Sequence, residues 1–134
     1  MNGNPRILIV EDSETQAILL RETLADHGWE TIWAATAERA MEHINQQTPA
    51  LILVDYYLPG IRGDEFCRRI RMNIDTRGIP IIMLTANHDN DAELNGLNSG
   101  ADDFVAKSAD PDILLLRIRT MLNKQRPDPS ILTP

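Results

Sequence analysis

Polar side chains able to do chemistry stand directly behind short apolar runs. Glu11 and Asp12 follow Ile7-Leu8-Ile9-Val10, Asp55 follows Leu51-Ile52-Leu53-Val54, Thr85 follows Ile81-Ile82-Met83-Leu84, and Lys107 follows Phe104-Val105-Ala106. Carboxylates crowded together repel, so three acids in one place would resist full ionisation unless a cation joined them. Hard oxygen ligands in a small, partly hydrated site suit Mg²⁺, which commonly takes one or two protein carboxylates with water and a phosphate. A hydroxyl and an ammonium beside them would make a phosphoryl cradle from one neutral donor and one point charge. Asp55 is then a candidate covalent nucleophile, since aspartyl phosphate is an established kind of intermediate. The metal and Lys107 would neutralise charge on the group in transit.

That chemistry requires residues far apart in sequence to meet, so the elements that carry them matter. The four-residue run 7–10 is continuous and rich in β-branched residues, as a strand buried on both faces must be. Ser13-Glu14-Thr15-Gln16 reads as a capping box, with the Ser13 hydroxyl accepting an amide and Gln16 reaching back. Ala17, Leu20 and Leu24 follow at helical spacing, and Gly28 supplies the left-handed stop. Residues 29–35 read as a second strand. Thr36 can cap a helix over 37–47, with Ala40, Met41 and Ile44 inward and Pro49 beyond its end. Strand 51–54 leads through Tyr56-Tyr57-Leu58-Pro59-Gly60 into a helix over 64–72. Strand 81–84 is followed by a weak helix over 89–99, where Asn95, Gly96 and Asn98 lower propensity and only Ala92, Leu94 and Leu97 are clearly apolar. A short strand over 103–106 precedes the N-cap pair Asp110-Pro111 and a helix to residue 123. Its apolar set, Ile113 to Leu116 with Ile118, Met121 and Leu122, predicts firm docking. Residues 125–134 contain three prolines and no periodicity, as a tail or linker would.

Strands alternating with helices make a mainly parallel sheet with helices on both faces. Open sheets of this kind bind ligands at the carboxyl ends of their strands, where the strand order reverses. If the order is 2-1-3-4-5, strands one and three are neighbours there, and Glu11, Asp12 and Asp55 converge with Thr85 and Lys107 beside them.

Composition narrows the setting. The chain has 134 residues, 43% hydrophobic and 25% charged, as one globular domain does. Its net charge of −7 disfavours direct nucleic-acid binding and anionic membrane surfaces. No apolar run is long enough to insert in a membrane, and Met1 to Val10 does not read as a secretory signal. The single cysteine, Cys67, forbids an internal disulfide and fits a reducing, cytoplasmic setting.

Four sequence blocks, each at a strand end, carry a family resemblance: Glu11-Asp12; Asp55-Tyr56-Tyr57-Leu58-Pro59-Gly60-Ile61-Arg62-Gly63; Leu84-Thr85-Ala86; and the run from Gly100 to Lys107. Over roughly residues 5 to 123 the chain resembles the receiver domain of two-component response regulators. The resemblance implies a flavodoxin-like α/β fold, a doubly wound (βα)5 sandwich with a parallel sheet of order 2-1-3-4-5. It marks residues 1–124 as the receiver domain and 125–134 as the tail. It implies that Asp55 takes a phosphoryl group from a phosphohistidine of a histidine kinase or a histidine phosphotransfer protein. Asp12, Asp55 and the Tyr57 backbone carbonyl would ligate Mg²⁺, with Glu11 helping through water. Thr85 and Lys107 would bind phosphoryl oxygens. Phe104 would be the aromatic switch that follows Thr85 inward, changing a face made by helix four, strand five and helix five that meets a downstream output domain or protein, or a second copy in a dimer.

The chain departs from the family in three places. Ser108 follows Lys107 where the family usually has a cis proline; a cis non-proline bond costs about 2.5–4 kcal/mol, so a trans bond is expected. Glu11 replaces the commoner aspartate, and Phe104 lacks the hydroxyl of a tyrosine. Tyr57 and Asn87 fall where the family tunes phosphoryl lifetime.

Other readings follow from the same residues. A Mg²⁺-dependent phosphohydrolase resembling the haloacid-dehalogenase phosphatases would need a second acid two residues after its nucleophile, where this chain has Tyr57. A non-phosphorylated interaction module would keep the fold alone. Cys67 suits a small core residue. Arg68-Arg69-Ile70-Arg71 reads as a solvated helix face, and His27, His43 and His88 lie too far apart in sequence to suggest a metal site.

Overall fold

The computed structural model describes residues 4–86 and 90–125. Strands and helices alternate strictly: β1 (Arg6–Val10), α1 (Glu14–Ala25), β2 (Glu30–Ala34), α2 (Ala37–Gln46), β3 (Leu51–Asp55), α3 (Gly63–Met72), β4 (Ile81–Thr85), α4 (Asn90–Ser99), β5 (Asp103–Ala106) and α5 (Pro111–Gln125). Every strand pairing is parallel and the order is β2-β1-β3-β4-β5. The chain therefore reverses its winding between β1 and β3, and a crevice opens at their carboxyl ends.

Period-two alternation along each central strand divides the core into two layers. Leu8, Val10, Ile52, Val54, Ile81 and Met83 face α2, α3 and α4, packed with Ala40, Phe66 and Ile70. Ile7, Ile9, Leu51, Leu53, Ile82 and Leu84 face α1 and α5, packed with Leu24, Leu115 and Ile118. A strand buried on both sides has no polar face to show, which is why these runs read as unbroken apolar stretches.

The helix signals work largely as expected. Ser13 Oγ accepts from the Gln16 amide at 3.3 Å, Thr36 Oγ1 from that of Arg39 at 3.1 Å, and Asp110 Oδ1 from that of Asp112 at 2.9 Å. Gly28 adopts φ 83°, the left-handed turn that ends the α1 region. The Lys107-Ser108 bond is trans, as are all described peptide bonds.

Three expectations are corrected, and the structure gives the facing of α4, which the sequence left open. Gln16 does not complete a capping box; its side chain turns toward Lys107. The wide apolar set of α5 is split: Leu114, Leu115 and Ile118 are buried, while Ile113 and Leu116 face outward. In α4 the larger apolar residues Leu94 and Leu97 are exposed, and Ala92, Gly96 and Ser99 face the sheet. Arg71 is no solvated charge: it donates to the carbonyls of Gly100, Arg77 and Ile79 and to Asp102 Oδ2, tying α3 to the loop that follows it and to the loop between α4 and β5. Helix α5 also continues to Gln125; residues 126–134 and Asn87-His88-Asp89 lie outside the described residues.

Candidate functional site

β1 ends at Val10 and the pairing with β2 carries on one residue further, the Glu11 amide donating to the Ala34 carbonyl at 3.0 Å. The Glu11 carbonyl accepts the indole N–H of Trp33 at 2.6 Å, so β2 grips the start of the loop. This places the Glu11 side chain in the interior, 1% exposed, while Asp12 beside it is exposed. Asp55 is the last residue of β3 and is 5% exposed. Carboxylate oxygens of Glu11, Asp12 and Asp55 all lie within 4.8 Å of one another.

The loop after Asp55 is tightly held. One Asp55 oxygen accepts the Tyr57 amide at 3.1 Å, and the Gly63 amide donates to the Tyr56 carbonyl at 2.8 Å. A side chain at Gly63 would bring a Cβ within 2.5 Å of the Asp55 carbonyl oxygen and 2.8 Å of Tyr56 Cα, so only glycine lets α3 start this close to Asp55. Arg62 clamps the same loop from outside. Its guanidinium grips Asp64 with two bonds, 2.7 and 3.0 Å, and sits 5.0 Å from the Tyr56 ring centroid.

Thr85, the last residue of β4, is 6% exposed; its carbonyl accepts the Lys107 amide at 2.8 Å. That backbone bond sets Lys107 at the rim. Its Nζ lies 2.8 Å from Asp55 Oδ2, 2.8 Å from Gln16 Oε1 and 3.0 Å from Glu11 Oε1. Phe104, paired with Met83 across β4 and β5, packs into the core layer beneath α4.

Electrostatics follow from this crowding. Burial raises the Glu11 carboxyl above the ordinary value and Asp55 adds to that, against the Ser13 amide and Lys107, which lower it. For Lys107, burial is the largest influence and works against the charge, but the hydrogen bond to Asp55 and the pull of the Asp55 and Glu11 carboxylates outweigh it and hold the ammonium above its ordinary pKa. Glu11 Oε1 is buried with no aligned hydrogen-bond donor, although Lys107 stands near as an ion pair. A buried carboxylate oxygen in that condition, facing two more acids, suits a hard divalent cation. The donor set therefore fits Mg²⁺.

Glu11, Asp12, Asp55 and Lys107 thus meet, and Thr85 lies next to them in the sheet. The Tyr57 amide is held by Asp55, and Phe104 lies beneath α4, on the layer away from Lys107. Sequence reasoning missed Gln16, Trp33 and the Arg62–Asp64 clip. Trp33 carried a signal, since strand two borders strand one at this end of a 2-1-3-4-5 sheet. Gln16 carried none, because an exposed glutamine in a first helical turn is ordinary.

Comparison with known proteins agrees with this geometry. The family model for the response regulator receiver domain matches residues 7–119. The phosphate regulon transcriptional regulatory protein PhoB of Rhizobium meliloti (strain 1021) is 37% identical over 124 residues, covering 92% of this chain and 55% of that protein. The chain thus spans about half the length of that relative. The signal receiver domain of a signal transduction histidine kinase from Syntrophus aciditrophicus superposes with a TM-score of 0.85 at 32% identity, covering 93% of this chain and 96% of that one. The receiver domain of sensor histidine kinase PA1611 from Pseudomonas aeruginosa PAO1 carries a magnesium ion in its active-site cleft. It superposes with a TM-score of 0.83 at 28% identity, covering 90% of this chain and 99% of that one. Acidic crevice, sheet order and matched sequence agree: the chain belongs to the response regulator receiver domain family, the phosphoacceptor domains of two-component signalling.

Proposed function

We infer that Asp55 is the phosphoacceptor and that the donor is a phosphohistidine of a histidine kinase or a histidine phosphotransfer protein. One observation carries the reading: a buried aspartate shares its oxygens with a lysine ammonium at 2.8 Å while two further carboxylates stand within 4.8 Å. An Asp55 oxygen attacks phosphorus, an O–P bond forms, and the donor's N–P bond breaks with its electron pair left on the imidazole nitrogen. The ring leaves neutral when its other nitrogen carries a proton. Glu11, Asp12, Asp55 and the Tyr57 carbonyl would hold Mg²⁺, Glu11 through water; when bound, the ion supplies charge neutralisation for the phosphoryl oxygens. Lys107 holds its proton throughout and donates it as a hydrogen bond to a phosphoryl oxygen, and Thr85 offers its hydroxyl to another.

A groove of about 530 Å³ between α1 and α5 opens beside Lys107, walled by Leu19, Leu20, Leu114 and Pro111. An apolar groove at the phosphoacceptor's rim suits docking of the donor's helix. The α4, β5 and α5 face, with Leu94, Leu97, Ile113 and Leu116 exposed, suits an output domain or protein, or a second copy. Entry of Thr85 toward the phosphoryl group would let Phe104 follow and alter that face. A cytoplasmic setting fits a phosphohistidine donor and a free cysteine.

The test is labelling by radioactive phosphoramidate with Mg²⁺. Wild type takes label and Asp55→Asn takes none. Equal labelling of the variant at another residue would remove Asp55 from this role.

A further inference from the structure

Lys107 reaches Asp55 from the far end of β5, and nothing in β5 fixes the direction of its long side chain. Its partners across the crevice do, and one of them, Gln16, stands on α1. Glu11 Oε2 accepts the Ser13 amide at 3.1 Å, and Ser13 Oγ accepts the Gln16 amide at 3.3 Å. Gln16 Oε1 then accepts from Lys107 Nζ at 2.8 Å, and Lys107 Nζ returns to Glu11 Oε1 at 3.0 Å. The path closes on itself, joining the end of β1, the first turn of α1 and the end of β5.

The acceptors around Lys107 are not equivalent. Asp55 and Glu11 are anions, and both change partners during the reaction: one becomes an acyl phosphate and the other belongs to the cation site. Gln16 is a neutral amide, anchored by the capped start of α1 and outside the acid cluster. It is the only one of the three that bonds Lys107 without lowering its net attraction for incoming phosphate. An ammonium has three N–H donors, so holding one on Gln16 leaves two for Asp55 and a phosphoryl oxygen.

We propose that Gln16 is a positioning residue for phosphoryl transfer, its side-chain carbonyl holding Lys107 over Asp55 as charge moves from the carboxylate to the phosphoryl group. The proposal rests on Asp55 being the phosphoacceptor. The group transfer that tests it is balanced with phosphoramidate: an Asp55 oxygen bonds to phosphorus, the N–P bond of the ammonio-phosphonate form breaks, and ammonia leaves with the electron pair.

Three proteins separate the outcomes: wild type, Gln16→Met, which keeps length and helix propensity but loses the acceptor, and Gln16→Glu, which keeps an oxygen at the same reach. Two readouts are taken on each. One is the phosphorylation rate with phosphoramidate at saturating Mg²⁺. The other is hydrogen exchange of the Lys107 ammonium, followed by ¹⁵N NMR without phosphodonor. Gln16→Met is expected to phosphorylate about fivefold more slowly, the size of one ordinary hydrogen bond's net contribution. Its Lys107 ammonium should exchange faster than in wild type, and Gln16→Glu should restore slow exchange. A response in only one readout for Gln16→Met, or fast exchange in Gln16→Glu, overturns the proposal. Failure of wild type to take phosphate would instead overturn the phosphoacceptor reading, and slow Lys107 exchange abolished by Gln16→Met would still show the grip.

Discussion

The side chains gathered in the crevice are held by others that stand outside it. Asp64 is the clearest case: it is 2% exposed and its two bonds to Arg62 close the loop carrying Tyr56 and Tyr57. The Arg62 hydrogen bonds hold its carboxyl below the ordinary value of 3.8, against the effect of burial, with Arg62 and Arg68 charges assisting. A carboxyl depressed in the folded state adds stability above its unfolded pKa and loses it as pH falls through the folded one. Asp64→Asn should therefore lower stability by about 1–2 kcal/mol at pH 7, a modest figure because Arg62 is half exposed. Urea melts across pH should show that gap holding down to about pH 4 and closing below it; a gap unchanged in strong acid would mean that the pair's charge is not the cause. Asp55 and Lys107 were legible because each ends an apolar run. Asp64 and Arg62 were not, since an acid in a first helical turn and an arginine before it are common on any surface.

Among the elements, α4 departs furthest from its sequence pattern. Its leucines point to solvent and its small residues to the sheet, because the ring of Phe104 occupies the space beneath it. A Cβ on Gly96 would overlap Phe104 Cζ and lie 2.9 Å from Met83 Sδ. One hydrogen bond, from Asn95 Nδ2 to Tyr56 Oη at 3.1 Å, joins the helix to the residue after Asp55. Gly96→Ala should destabilise the protein by about 1–3 kcal/mol through overpacking, despite alanine's better helix propensity. Hydrogen exchange in α4 should quicken with it. A gain in stability near 1 kcal/mol, the propensity difference alone, would show that the ring yields without cost. Strand and helix order were legible throughout because period and caps are local signals. The facing of α4 was not: its small residues are inward only because a ring from another strand fills the gap. The same limit hid the outward Ile113 and Leu116 of α5, which continue that exposed face.

For the whole molecule, a net charge of −7 with three acids in one crevice means that the fold carries electrostatic strain, which a bound cation would relieve. Mg²⁺ at ten times its dissociation constant should stabilise the protein by about 1.4 kcal/mol, a rise in Tm of roughly 3–6 °C. Calorimetry with and without millimolar Mg²⁺ checks this, and an unchanged Tm would argue against the three acids acting as one cation site. Sheet order was the assumption on which the crevice depended, and parallel βα alternation left few other topologies; distances and the direction of Gln16 needed coordinates. Phosphate on Asp55 is what every other part of the crevice would serve, and chemistry that marks the residue itself tests it. After phosphoramidate and Mg²⁺, borohydride reduces an aspartyl phosphate to homoserine, which peptide mass spectrometry locates. Homoserine is expected in place of Asp55 and at no other aspartate; an unreduced Asp55, or homoserine elsewhere, would rule Asp55 out as the phosphoacceptor.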